Sequence, residues 1–262
     1  GQGLETSFPD IVAGALNISA DRIKYIQGDT DYLPSGRGSG GSAATITGGS
    51  AVINAAEILI PTGNQIAADV LKCDISDIHY NNGNFFQMND TDTALDWAEI
   101  AQYSNQPDGL DIMGEFTPSA PTYPNGCHIC EVEIDTSTGK CYVQDYVAVE
   151  DVGTALYPIL IEGQILGGIV QGISQALGES LVYDETGQLS TGSFMDYQMP
   201  IASDFPKFRM KTHPVKTKIN PLGAKGVGES GTVGALAATL SAIQHALVSV
   251  GADAIEMPAT PH

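Results

Sequence analysis

The chain's 262 residues, 42% hydrophobic and 16% charged, can bury the core of one large domain or two medium ones, which excludes a disordered segment. With 31 acidic residues against 11 basic, the formal charge of −20 argues against nucleic acid or an anionic membrane as partner, because their phosphates would be repelled. No apolar run is expected to approach the roughly 18 to 20 residues that span a bilayer, and no basic-plus-apolar leader opens the sequence.

In chain order, "SFPDIVAGALNI" (7–18) predicts a short helix capped by Thr6 or Ser7, with Pro9 in its first turn and Ile11, Ala15 and Leu16 on one face. "RIKYIQG" (22–28) alternates and predicts a strand. "SGRGSGGSAATITGGS" (35–50) then sets Gly36, Gly38 and Gly41 as G-x-G-x-x-G. A dinucleotide turn needs a buried apolar strand leading into the first glycine and an acidic ribose ligand about 20 residues on. Here the lead-in "GDTDYLPS" is polar and carries Pro34, and Glu57 comes too early, so a nicotinamide or flavin reading fails on context. What remains is a glycine-dense loop with exposed N–H groups ahead of a helix, suited equally to an anion or to close packing.

That helix is predicted over 43–72, with a kink or break at Pro61 and Gly63. "IHYNNGNFFQM" (78–88) predicts a hairpin turning at Asn82-Gly83 in type I′ geometry. After about residue 105 the pattern shifts toward strands. "CHICEVEID" (127–135) alternates, "TSTGK" turns, and "CYVQDYVAVEDV" (141–152) runs back. A helical stretch at 161–183 carries glycines that admit another backbone or a ligand; a strand follows at 206–215. The last helix, 232–251, is apolar around most of its circumference and is expected to be buried.

Four cysteines stand at Cys73, Cys127, Cys130 and Cys141. Cys127 and Cys130 form a C-x-x-C, with no second pair to complete a zinc ribbon, and His128 between them should face the other side of the strand. Ordinary thiols in a reducing compartment, hence the cytoplasm, are the simpler reading, with a zinc site or a redox pair as alternatives. Strands cluster with helices without strict alternation, so the class is α+β: two α/β two-layer subdomains, 1–110 and 111–262. The start on "GQGLETSF" without a methionine and the stop at "MPATPH" suggest a piece, or one subunit of a split protein.

Six glycine-rich stretches come in one order: "GQGLET", "GRGSGGSAAT", "NGCHICEVEIDTSTG", "DVGTALYP", "EGQILGGIVQGISQAL" and "GAKGVGES". This order resembles the C-terminal half of the large subunit of the molybdenum hydroxylases, the family of xanthine dehydrogenase and aldehyde oxidase, and covers essentially the whole chain. The resemblance implies a molybdopterin cofactor with molybdenum, in bacteria commonly the cytosine dinucleotide. It implies that Gln2 bonds the pterin or the metal's oxo groups, with Gly1 and Gly3 giving the backbone room. Gly40, Gly41, Ser42 and Ala43 match the small-residue segment against the pterin, and Gln171 matches a second cofactor-binding glutamine. Glu229, on a loop with Gly226 and Gly228, matches the active-site carboxylate, a general base toward the attacking hydroxyl. No side chain is expected to ligate the metal directly. The family's [2Fe-2S] clusters and FAD imply an iron–sulfur subunit and an FAD subunit as partners, and an upstream molybdopterin-binding half that holds the small-molecule substrate. Ala43 departs from the arginine many bacterial relatives carry there. Hydroxylation of an N-heterocycle or aldehyde with water is the implied reaction. The rivals are a non-catalytic scaffold subunit and a carbon monoxide dehydrogenase-like large-subunit part.

Overall fold

The computed structural model describes residues 2–33, 36, 38–104, 110–252 and 254–261; Gly1, Pro34 and Ser35 of the motifs above lie outside them. The chain divides into two compact units. One comprises Gly1–Pro121 with Lys218–Leu222, the other Thr122–Thr217 with Gly223–His262.

The first unit begins with α1 (Leu4–Leu16). The expected side-chain cap is replaced by Gly3, which turns into the left-handed region (φ 73°) so that its carbonyl accepts from the N–H groups of Thr6 and Ser7. Helix therefore starts earlier than predicted, and Pro9 lies beyond its first turn. The strand expected at 22–28 is absent. A 3₁₀ turn at Ala20–Arg22 leads into extended chain with no ladder partner among the described residues. Tyr25 instead lays its ring 5.6 Å from that of Phe8 on α1, so packing, not pairing, uses the alternation.

Helix α2 (Ala44–Leu71) runs unbroken through Pro61 and Gly63. Gly63 is a packing position: a Cβ there would stand 2.4 Å from the Phe85 ring. Strands β1 (Ile78–Asn81) and β2 (Asn84–Gln87) form the predicted hairpin, and Asn82 and Gly83 both have positive φ, as a type I′ turn requires. Two further elements are not anticipated by the sequence pattern: β3 (Asp90–Asp96), which completes an antiparallel meander, and α3 (Trp97–Tyr103). The signal for α3 was there, since Asp96 and Glu99 form a reciprocal capping box. Ala67, Ala68, Ile78, Phe85, Leu95 and Ile100 make this unit's core.

In the second unit β4 (Asn125–Ile134) pairs antiparallel with β5 (Cys141–Asp151), and β6 (Arg209–Thr212) lies parallel to β5. A register shift between Glu131 and Val132 moves the inward positions of β5 from Val143 to Tyr146, Ala148 and Glu150. Helix α4 (Pro158–Leu177) buries Ile161, Ile165, Ile169 and Ile173, one residue per turn, in the core with Tyr146 and Val152. It stops well short of residue 183, at Gly178, where a Cβ would stand 2.3 Å from the Gln198 amide carbon.

Helix α5 (Ser230–Val248) packs on α4 and β4 but buries only Gly231, Ala235, Thr239 and Ile243, leaving Val233 72% exposed. Its apolar circumference therefore does not mean all-round burial. Contrary to expectation, α2 and α5 are each long and apolar enough to cross a membrane by length and composition. Alanine with scattered isoleucine, leucine and valine keeps the mean hydropathy up without a continuous run of large apolar residues. The α+β class holds.

Candidate functional site

The site residues fall in both units, and each set is built separately. In the first unit Gln2 is exposed and its side-chain carbonyl accepts from the Ser39 hydroxyl at 3.0 Å, beside Gly40. Gly41 (φ 58°) and Ser42 (φ 54°) both sit in the left-handed region, an arrangement glycine tolerates and serine resists. They turn the chain into α2, whose N-cap is Ala43. The N-cap, Ala43, has no side chain able to cap this 28-residue helix, and no acid sits in its first turn, where the N-terminus carries a partial positive charge. Gly36, Gly38, Gly40 and Gly41 have nothing within 4 Å of where a Cβ would stand. Open backbone beside a helix N-terminus fits a phosphate-bearing cofactor. The structure thus brings Gln2 together with the 39–43 turn.

In the second unit the loop before Glu229 is clamped to the end of β5. Gly153 bridges Ala224, Lys225 N–H donates to the Val152 carbonyl at 2.8 Å, and Thr154 N–H donates to the Gly223 carbonyl at 2.9 Å. Gly153 has to be glycine: φ is 66°, and a Cβ would stand 2.4 Å from the Gly223 carbonyl oxygen. Gly226 is buried, whereas Gly228 and Glu229 are exposed. Glu229 is the N-cap of α5, its carbonyl accepting from Val233 N–H at 3.1 Å, and its side chain does not cap the helix.

Gln164 was not anticipated: its amide donates to the Gly228 carbonyl at 2.8 Å. It stands two turns before Gln171 on the same face of α4, a spacing of seven that could have identified it. Gln171 is exposed and accepts from the Thr232 hydroxyl at 3.5 Å, the outer limit of a hydrogen bond. Gln164 and Gln171 thus lie along the passage of α4 by the start of α5, Gln164 at Gly228 and Gln171 at Thr232. That passage is backbone on backbone, since a Cβ on Gly231 would stand 2.3 Å from the Ile165 carbonyl.

The C-x-x-C resolves by strand geometry. Cys127 is exposed and Cys130 faces inward with His128, because residues three apart on a strand point to opposite sides. The two thiols cannot close on one ion or on each other. Burial, with the neighbouring Cys130, pushes the Cys141 thiol up to about 11.

The comparisons agree with this architecture. Residues 1–206 match the model of the molybdopterin cofactor-binding domain. The carbon monoxide dehydrogenase large chain of Hydrogenophaga pseudoflava is 34% identical over all of this chain and 33% of its own length. The nicotine 6-hydroxylase large subunit of Paenarthrobacter nicotinovorans is 35% identical, again over all of this chain and 33% of its own length. The crystal structure of quinoline 2-oxidoreductase from Pseudomonas putida 86 superposes with a TM-score of 0.85 at 33% identity, covering 100% of this chain and 34% of that one. The chain belongs to the molybdenum hydroxylase family and corresponds to the C-terminal part of its large subunit. It spans about one third of the length of the curated relatives it matches.

Proposed function

We propose that this chain binds molybdopterin with molybdenum and supplies the general base of a hydroxylase acting on an N-heterocycle or an aldehyde. The observation that carries the reading is Glu229. It is an exposed carboxylate on a glycine loop pinned to β5 and α4, within a chain of this family. The bound cofactor would supply a redox metal able to take two electrons from the substrate carbon. This chain's residues would do the rest. Gln2, Gly3, Gly40, Gly41, Ser42 and Ala43 of the first unit hold the pterin and its phosphate through amide and backbone N–H groups. Gln171 and Gly228 of the second unit make further cofactor contacts, and Glu229 accepts the proton of the attacking hydroxyl. No side chain need ligate the metal. The subdomains 1–110 and 111–262 would each contribute one of these sets.

The cofactor is proposed to be the cytosine dinucleotide form. An upstream molybdopterin-binding half, an iron–sulfur subunit with [2Fe-2S] clusters and an FAD subunit complete the enzyme, in the cytoplasm. Nicotine and quinoline in the names of two relatives favour an N-heterocycle, and the equal likeness to a carbon monoxide dehydrogenase keeps that chemistry as the second reading. Metal analysis and acid hydrolysis of the purified complex test the cofactor. Molybdenum with a released cytidine nucleotide is expected, and an active complex with molybdenum near zero refutes the reading.

A further inference from the structure

Strand β5 ends in two consecutive acids, Glu150 and Asp151, whose side chains leave opposite faces of the sheet. Neither belongs to the cofactor contacts above, and both are largely withdrawn from water. The Glu150 side chain is 2% exposed and accepts from His128 Nε2 at 2.6 Å. His128 Nδ1 lies 2.7 Å from the Tyr146 hydroxyl. Burial, with the nearby Cys130 and Glu150 charges, raises the Tyr146 phenol, which keeps its proton. With the Glu150 carboxylate as acceptor at Nε2, a neutral His128 ring leaves Nδ1 to accept from the Tyr146 hydroxyl. On its other side that ring lies flush against α5: a Cβ on Gly234 would stand 2.6 Å from it.

Asp151 makes the matching contact on the opposite face. Its Oδ2 is 2.5 Å from Lys225 Nζ, with both side chains nearly buried, and its Oδ1 accepts from the N–H groups of Gly153 and Val215, each at 2.9 Å. Lys225 precedes Glu229 by four residues and Gly234 follows it by five. The two acids thus grip both flanks of the segment that presents Glu229, while Gln164 holds its middle at the Gly228 carbonyl. Buried charged contacts of this kind are weak stabilisers compared with well-packed apolar groups, and their best-attested use is to fix one arrangement out of several. A general base has to be held to within a fraction of an ångström of its proton donor.

We propose that Glu150 and Asp151 are positioning residues that, through His128 and Lys225, fix the Glu229 segment in its working geometry; this rests on Glu229 being the base. Misplacing a reacting group by about 1 Å costs up to on the order of a hundredfold in rate. In the complete enzyme with its partner subunits, Lys225→Met and the milder Asp151→Asn should lower kcat by about 10- to 100-fold. KM should change little and molybdenum content should stay unchanged, because an interaction realised only at the reacting geometry is lost. Hydrogen–deuterium exchange should accelerate at residues 223–236 and stay unchanged in α4, and Lys225→Arg should restore most of both. Glu150→Gln, which keeps shape and an acceptor, tests the other flank with a smaller effect in the same direction. Faster exchange with normal kcat, or unchanged exchange in both Lys225→Met and Asp151→Asn, overturns the proposal. Glu229→Gln is measured alongside. If it keeps full turnover, the base reading fails and the positioning role falls with it; if it loses turnover while Lys225→Met does not, only the positioning role fails.

Discussion

Helix α4 offers one substitution with opposite expected signs at positions a few residues apart. Replacing glycine by alanine inside a helix is worth about 0.5–1 kcal/mol in favour of alanine, because the unfolded chain loses freedom. Gly163 and Gly167 have nothing within 4 Å of an added Cβ, so Gly163→Ala and Gly167→Ala should raise stability by that amount, a gain of about 1–4 °C in Tm. At Gly172 the same Cβ would stand 2.7 Å from the Thr232 carbonyl oxygen, 2.8 Å from the Ala235 Cβ and 3.0 Å from the Leu236 nitrogen. These are mostly backbone atoms, which yield only if α5 moves as a body. Overpacking of this kind costs about 1–3 kcal/mol. Set against the helix gain, Gly172→Ala should lose roughly 1–2 kcal/mol, about 2–8 °C in Tm. Because Glu229 is the N-cap of α5, the same variant should also lose turnover, whereas Gly163→Ala should not. Thermal unfolding of the three variants side by side is the assay. A Gly172→Ala protein that melts at or above the wild-type temperature would refute the backbone-on-backbone packing of α4 and α5.

The first unit supplies a coupled pair: Phe85→Ala should cost about 3–5 kcal/mol, and Gly63→Ala, destabilising by itself, should become much less so in the Phe85→Ala background, as a double-mutant cycle would register. Strict additivity would contradict the contact. Iodoacetamide at mildly alkaline pH should label Cys127 well before Cys141, whose half-buried thiol at about 11 holds little thiolate; equal labelling of native protein would be the contrary result. Asp151 opposes its own burial with the Lys225 contact and the Val215 and Gly153 N–H groups, which together hold its carboxyl below the usual carboxylate range. A depressed folded-state value gives stability that is present above the unfolded value of about 3.9 and lost as pH falls through the folded one. The Tm gap between wild type and Asp151→Asn should therefore be constant at neutral pH and close below about pH 4. A gap that persists in acid counts against it.

What was legible in the sequence is what neighbouring residues decide. Asn82-Gly83 fixed its hairpin because both residues take positive φ locally, and the alternation of 127–135 set His128 on the face opposite Cys127, although Cys130 shares the side of His128. Helices α4 and α5 followed from their periods, although a low-charge circumference overstated how much of α5 is buried. What failed depended on partners distant in sequence. The alternation of 22–28 is met by Phe8 on α1, and Gly63, read as a break, is the seat of the Phe85 ring. The candidate site divides the same way. Gln2, Gln171 and Glu229 entered as candidates through the ordered motifs that carry the family resemblance, whereas the His128–Glu150 and Lys225–Asp151 contacts join residues 22 and 74 positions apart and leave no local pattern.

Glu229 carries the functional reading, and Glu229→Gln, nearly the same shape without a basic carboxylate, isolates it. Measured on the complete enzyme, the variant should hold as much molybdenum as wild type and turn over at least about a hundredfold more slowly, the low end for loss of a general base. Near-normal turnover with the metal retained would contradict the role assigned to Glu229.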